Sequence, residues 1–366
     1  MTGKATHYFL GGNTGQGFYS HFNYIISQKK ATRIICLKGG PGTGKSSLMK
    51  KIGKVYLDKG FDVEFHHCSS DSDSLDGILI KKLNVALLDG TAPHMIDPIN
   101  PGAVDDIVNM GVCLKEENFK SLKQDVLKVN GEIGNTFRRA YRFFGAAKSI
   151  YEDWYTFNNN ALDIYKVNLL KEELKTTILP DALSEPGEAR HLFATAFTPK
   201  GIVTYIPTII KDFSKVYVLK GGPGTGKTSI LQYIADESVK RGFNVEILHT
   251  PLCPQNIEHL IIPELNTAIL TSNEINKMSF EGEGIIYDLE DYLDKDSIGY
   301  NLSSIMDVRA IFYILLQKGL DCIKCAKSLH DDLEGFYAPN MDFTKADEIY
   351  EEVLNKIEGY EKDLTV

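Results

Sequence analysis

Two stretches of this chain place residue types at a spacing that can hold a polyphosphate. Gly39-Gly40-Pro41-Gly42-Thr43-Gly44-Lys45-Ser46 matches G-x-x-x-x-G-K-[ST], and Gly221-Gly222-Pro223-Gly224-Thr225-Gly226-Lys227-Thr228 matches it again. An anion of several charges asks for inward-pointing backbone N–H groups, which only a tightly wound, glycine-rich loop can present. A helix that follows such a loop adds its positive N-terminal end. Lys45 and Lys227 can reach the β- and γ-phosphates, and the hydroxyls of Ser46 and Thr228 can ligate Mg2+. Ser47 and Ser229 complete the candidate set, and Pro41 and Pro223 stiffen each loop without removing a glycine donor.

Turnover of a bound triphosphate also needs an acidic residue at the end of a neighbouring strand to hold the metal. Val85-Ala86-Leu87-Leu88-Asp89 is an apolar run ending in a carboxylate, so Asp89 is the first choice. The equivalent position in the second half is Thr271, a weaker and neutral ligand, so the second site is expected to bind nucleotide with less or no turnover. Glu64, Glu246, Asp106 and Asp288 are other carboxylates present in both halves that could fill the role, Asp106 standing second for the metal. His67 and His249 follow the second strand of each half, where open α/β sheets bind ligands; they either orient water or serve as hydrogen-bonded structural residues. His66, His67, Cys68 and His94 follow no closed zinc pattern, and Cys322-x-x-Cys325 lacks a second pair and reads as packing. Arg138, Arg139 and Arg142 are either a finger toward a γ-phosphate or a solvated helix face. Gly11 to Gly17 reads as a loop near the core.

The elements that must position these groups occur twice. Leu37 to Lys45 and Leu219 to Lys227 are identical, a shift of 182 positions (219 − 37) that also aligns Gly60-Phe61 with Gly242-Phe243, His67 with His249 and Asp106 with Asp288. A period this long means a duplicated domain rather than a solenoid. The joint falls near Leu183 to Gly187, giving domains 1–185 and 186–366. In each, a short apolar strand (Arg33 to Leu37; Lys215 to Leu219) leads into the loop, and a helix follows with apolar residues at helical spacing (Leu48, Met49, Ile52; Ile230, Leu231, Ile234). Further strands are expected at Phe61 to Phe65, Val85 to Leu88, Phe243 to Leu248 and Thr267 to Leu270. Helical extensions follow at about 116–179 and 303–364, packed on the core or on each other, or forming a substrate lid. The fold class expected is α/β, two duplicated domains with mostly parallel sheets flanked by helices.

Composition narrows the partners. The 366 residues carry 40 basic and 49 acidic side chains, a formal charge of −9 that argues against nucleic acid as a default partner. The longest apolar run, Ala310 to Leu316, is far short of the roughly 20 residues a bilayer requires. Neither a charged n-region with an apolar stretch behind it nor a disulfide-scaffold density of cysteine is visible, so a soluble cytoplasmic protein is expected.

With its two GGPGTGK loops, Asp89-Gly90-Thr91-Ala92-Pro93-His94, and His191-Leu192-Phe193 ahead of the second core, the chain resembles the P-loop NTPases. More closely, it is similar to bacterial ATPases built as a tandem P-loop pair. The resemblance covers essentially the whole chain and implies ATP or GTP binding with Mg2+; it implies little about a substrate or a protein partner. Three functions stay open: an ATPase that converts nucleotide occupancy into a domain rearrangement, a kinase using Cys68 to Asp76 to receive an acceptor, and a non-hydrolysing nucleotide switch.

Overall fold

The computed structural model describes residues 2–91, 96–183, 185–277 and 284–364. The first half runs β1 (Ala5–Phe9), β2 (Gly11–Thr14), β3 (Gly17–Ser20), β4 (Arg33–Lys38), α1 (Lys45–Asp58), β5 (Val63–His67), β6 (Leu75–Ile80), β7 (Val85–Asp89), β8 (Asp105–Asn109), α2 (Phe119–Asn160) and α3 (Ile164–Ile178). The second half repeats it as β9 (Ala189–Leu192), β10 (Thr195–Thr198), β11 (Gly201–Thr204), α4 (Ile206–Ile209), β12 (Lys215–Lys220), α5 (Lys227–Lys240), β13 (Val245–His249), β14 (Ile257–Ile262), β15 (Thr267–Ser272), β16 (Ile285–Asp288), α6 (Lys295–Tyr337) and α7 (Phe343–Asp363). Both sheets share one strand order, β1-β5-β6-β7-β4-β8 and β9-β13-β14-β15-β12-β16.

Local chemistry accounts for the strand–loop–helix units. Ile34 to Leu37 are buried, as a strand covered on both faces requires. Gly44 and Gly226 adopt φ of 85° and 90°, turning the chain from loop into helix, and Gly60 and Gly242 (φ 90° and 95°) follow the ends of α1 and α5. The sheets are mixed rather than uniformly parallel: β6 runs antiparallel to β5 and β7, and β14 antiparallel to β13 and β15. These two strands are absent from the sequence reading, because Asp76-Gly77 and Glu258-His259 interrupt an apolar run with turn-like and polar residues. Gly11 to Gly17 is also more ordered than a loop: β2 and β3 form a hairpin, with β10 and β11 as its counterpart.

The helical extensions are exchanged. α3 buries Val167, Leu170, Leu174 and Ile178 among Leu219, Ile230, Leu231 and Ile234 of the second half. α7 in turn buries Val353 and Ile357 among Leu37, Leu48, Met49 and Ile52 of the first. Between them, α2 and α6 pack antiparallel, joining Phe144 to Gly319 and Tyr151 to Phe312. The remaining seam is formed by equivalent residues facing each other, as a two-fold relation demands. The amide of Phe9 donates to the carbonyl of Phe193 (2.9 Å), and that of Phe193 to Phe9 (3.0 Å). No helix among the described residues is long and apolar enough to cross a membrane.

Candidate functional site

Each glycine loop links the carboxyl end of a central strand to the first turn of a helix, so its amides converge at the helix N-terminus. Among the described residues, the amides of Gly42, Gly44 and Lys45 donate to no protein acceptor. The cradle is held closed by its own side chains: Thr43 Oγ1 donates to the Gly40 carbonyl (2.8 Å), and Lys45 Nζ to the carbonyls of Gly39 (2.8 Å) and Gly40 (2.9 Å). Asp89 ends β7 opposite Leu37, with its Oδ2 3.6 Å from Lys45 Nζ. Its Oδ1 accepts the Thr91 amide, and the Thr91 hydroxyl donates to Gly39, so the acid is tied to the loop. Ser46 Oγ accepts the Leu75 amide at 3.0 Å, placing the start of β6 against the loop helix.

The second loop repeats this geometry in a more enclosed setting. Thr225 Oγ1 donates to Gly222 (2.9 Å), and Lys227 Nζ donates to the carbonyls of Gly221 (2.6 Å) and Gly222. Gly221 to Thr225 and Lys227 are buried, whereas Thr228 and Ser229 are exposed; in the first loop only Thr43 and Lys45 are buried, and Ser47 is exposed. Burial lowers the Lys227 ammonium to about 8. Thr271 stands where Asp89 does, opposite Leu219.

Carboxylates nevertheless reach the second loop from elsewhere. The register that pairs Leu260 with Ile269 sets Glu258, at the start of β14, beside Thr271. Glu258 is 3% exposed; its Oε1 accepts from Asn273 (3.2 Å), its Oε2 has no hydrogen-bond partner, and burial raises its carboxyl to about 7. Glu274 is also raised by burial, with Lys227 opposing. The counterpart of Glu258 in the first half is Asp76, buried beside Cys68, whose thiol is pushed well up by burial and then by Asp76. Glu258 goes unremarked in the sequence reading and Asp76 enters it only as the end of the Cys68 to Asp76 acceptor stretch, although the 182-residue shift aligns them.

Other expected positions fall elsewhere. Glu64 and Glu246 lie at the seam, both bound by Arg190: Nη2 reaches Glu64 Oε2 at 2.6 Å and Nη1 reaches Glu246 Oε1 at 3.2 Å. Burial opposes ionisation of Glu64, but Arg190 and Lys81 outweigh it and hold its carboxyl well below the usual range. Asp106 pairs with Ile35, short of the loop, and is bound by Lys356 of α7. Its expected equivalent, Asp288, sits opposite Lys220, where the first half has Asn109 opposite Lys38; the repeat register shifts by three residues here. Both Asn109 and Asp288 cap the short helical turn that follows.

His67 and His249 are structural partners within the seam. His7 Nδ1 lies 2.8 Å from His67 Nε2, and His191 Nδ1 lies 2.8 Å from His249 Nε2. Each pair is covered by a ring from the other half, Tyr205 on His67 (4.5 Å) and His21 on His249 (4.7 Å). Burial lowers His67 and His249 to about 4, so both are neutral near pH 7. His66 is buried against Glu64, and His94 lies outside the described residues. Cys322 is buried and Cys325 exposed on α6. Arg138, Arg139 and Arg142 are exposed on α2, where Arg138 bonds Asn135 and Arg139 overlies Phe143, a solvated face.

The exchanged helices also approach the loops. Tyr337 of α6 abuts Gly40, and Trp154, Tyr155 and Asn158 of α2 abut Gly222 and Gly224. Asn158 Nδ2 donates to the Pro223 carbonyl at 2.7 Å. No family model matches the chain, and neither the curated proteins nor the solved structures provide a match.

Proposed function

We propose that this chain is a Mg2+-dependent nucleoside triphosphatase of the tandem P-loop kind, binding ATP or GTP at both glycine loops and hydrolysing it chiefly at the first. The observation that carries the reading is the pair of equivalent loops, each with a buried lysine folded over its own carbonyls at the start of a helix. A lysine that satisfies itself on loop carbonyls can be drawn off them by an incoming polyphosphate, which offers a stronger, charged acceptor.

The metal fits the donors present. Ser46 and Asp89 at the first loop offer oxygens alone, the set that Mg2+ takes, and Thr228 is the matching hydroxyl at the second. Bound there with the nucleotide, the ion would neutralise charge developing on the transferred phosphoryl group. The protein's own part is to grip the phosphates through the amides and Lys45, to orient the Asp89 carboxylate through the Thr91 bond, and to hold the loop against β6 through Ser46. The preference for the first loop rests on Asp89, a carboxylate where the second has Thr271.

Steady phosphate release from ATP without any added acceptor tests the reading. Lys45→Ala should abolish it and Lys227→Ala should leave most of it, whereas Asp89→Asn should slow turnover by about 10-fold or more with little loss of nucleotide affinity. Turnover that survives Lys45→Ala and vanishes in Lys227→Ala would reverse the assignment of the two loops.

A further inference from the structure

The second loop opens onto a cavity of about 210 Å³ whose walls come from both halves of the chain. Lys227, Glu258 and Asn273 line it on the second half's side, and Tyr155, Asn159 and Ile164 on the side of the first half's exchanged helices. Tyr155 and Asn159 stand four residues apart on α2 and therefore share one face of it. Tyr155 and Ile164 are 48% and 58% exposed, apolar surface left uncovered at the mouth of a charged recess. The recess is a built one: Glu258 and Lys227 are 3% and 8% exposed, and Glu258 Oε2 lacks a hydrogen-bond partner.

The two ends of this cavity ask for different chemistry. At one end, loop amides and a buried ammonium suit phosphates. The other end has an aromatic ring, a branched aliphatic side chain and an amide that both donates and accepts, suiting a flat heteroaromatic ring with polar edges. The backbone of α2 is pressed against the loop, since a Cβ on Gly224 would lie 2.3 Å from the Tyr155 carbonyl oxygen. That contact fixes how far Tyr155 and Asn159 stand from Lys227. The arrangement has a counterpart at the first loop, where Tyr337, 182 positions after Tyr155, abuts Gly40 from the second half's helix.

We infer that the second site is composite: the second half supplies the phosphate cradle, and Tyr155 and Asn159 of the first half's exchanged helix supply the surface that receives the nucleoside. The inference rests on the nucleotide reading of the loops given above. It assigns base recognition to residues some 70 positions upstream of the loop, in the other repeat.

The test compares two probes, Mg2+·ATP and inorganic tripolyphosphate with Mg2+, by calorimetry on the full chain carrying Lys45→Ala to silence the first loop. Tyr155→Ala should weaken ATP by about tenfold, the worth of one base–aromatic stack, and Asn159→Ala by up to about tenfold, the worth of one hydrogen bond; both positions are exposed, and both variants should leave tripolyphosphate affinity unchanged. Tyr155→Phe should retain ATP affinity, because it keeps the ring. Unchanged ATP affinity in the alanine variants, or equal losses for both probes, would overturn the composite site. A Lys45→Ala parent that binds neither probe would instead remove the nucleotide reading, and this proposal with it.

Discussion

At Lys227 burial lowers the ammonium to about 8, and at Glu258 it raises the carboxyl to about 7. Below both values the carboxyl is neutral and the lysine charged. As pH rises through them, a negative charge appears beside the loop and a positive one is lost. Both changes repel a polyphosphate, so affinity for ATP at the second loop should fall between about pH 6 and pH 9 in the Lys45→Ala chain, as read by calorimetry across that interval. Arg190 poses the opposite problem, since with Lys81 it allows a fully buried Glu64 to stay ionised. The depressed Glu64 carboxyl contributes stability that is present above the ordinary carboxylate range and is lost as pH falls through its lowered value. Arg190→Met leaves that charge short of a partner and should cost about 3–5 kcal/mol in urea unfolding at neutral pH.

The long helices meet where one element has no side chain to offer. Gly319 of α6 lies under Phe144 of α2, and an added Cβ would come within 2.3 Å of that ring. Phe144 is fully buried and packed on Phe197 (4.7 Å), so it has nowhere to retreat. Alanine gains roughly 1 kcal/mol of helix propensity over glycine, but overpacking costs about 1–3 kcal/mol. Gly319→Ala should therefore lower the urea midpoint, and a raised midpoint would show that the helices can part without penalty. At this scale the sequence was legible where periodicity is strong and silent where it is short. The loop helices α1 and α5 follow from apolar spacing, whereas β6 and β14 hide behind Asp76-Gly77 and Glu258-His259, because a six-residue strand buried on both faces carries no alternation.

Across the whole molecule, exchange makes each half depend on the other. Four side chains of α3, Val167, Leu170, Leu174 and Ile178, are buried in the second half's core. At about 1.5–3 kcal/mol for each buried aliphatic side chain, losing them removes roughly 6–12 kcal/mol from the second half's sheet. That is comparable to the entire stability of an ordinary domain, about 5–15 kcal/mol. Residues 1–185 and 186–366 expressed apart should therefore each lack cooperative unfolding, and mixing or co-expressing them should restore it. Two separately folded halves that never associate would show that the exchange is dispensable.

The chain's own residues announced the two glycine loops, the strand before and the helix after each, the duplication and the helical character of the extensions. All of these rest on local chemistry: a positive φ that glycine tolerates, a run of apolar side chains, a repeat of identical residues. Packing decided which half each helix serves, that Asp288 answers to Asn109 rather than Asp106, that each histidine pair is covered at the seam by a ring from the other half, and that Glu258 stands beside Thr271. An amphipathic stripe states that a face must be covered but not by what, and contacts between residues far apart in the chain are set only when the sheets and helices close on one another.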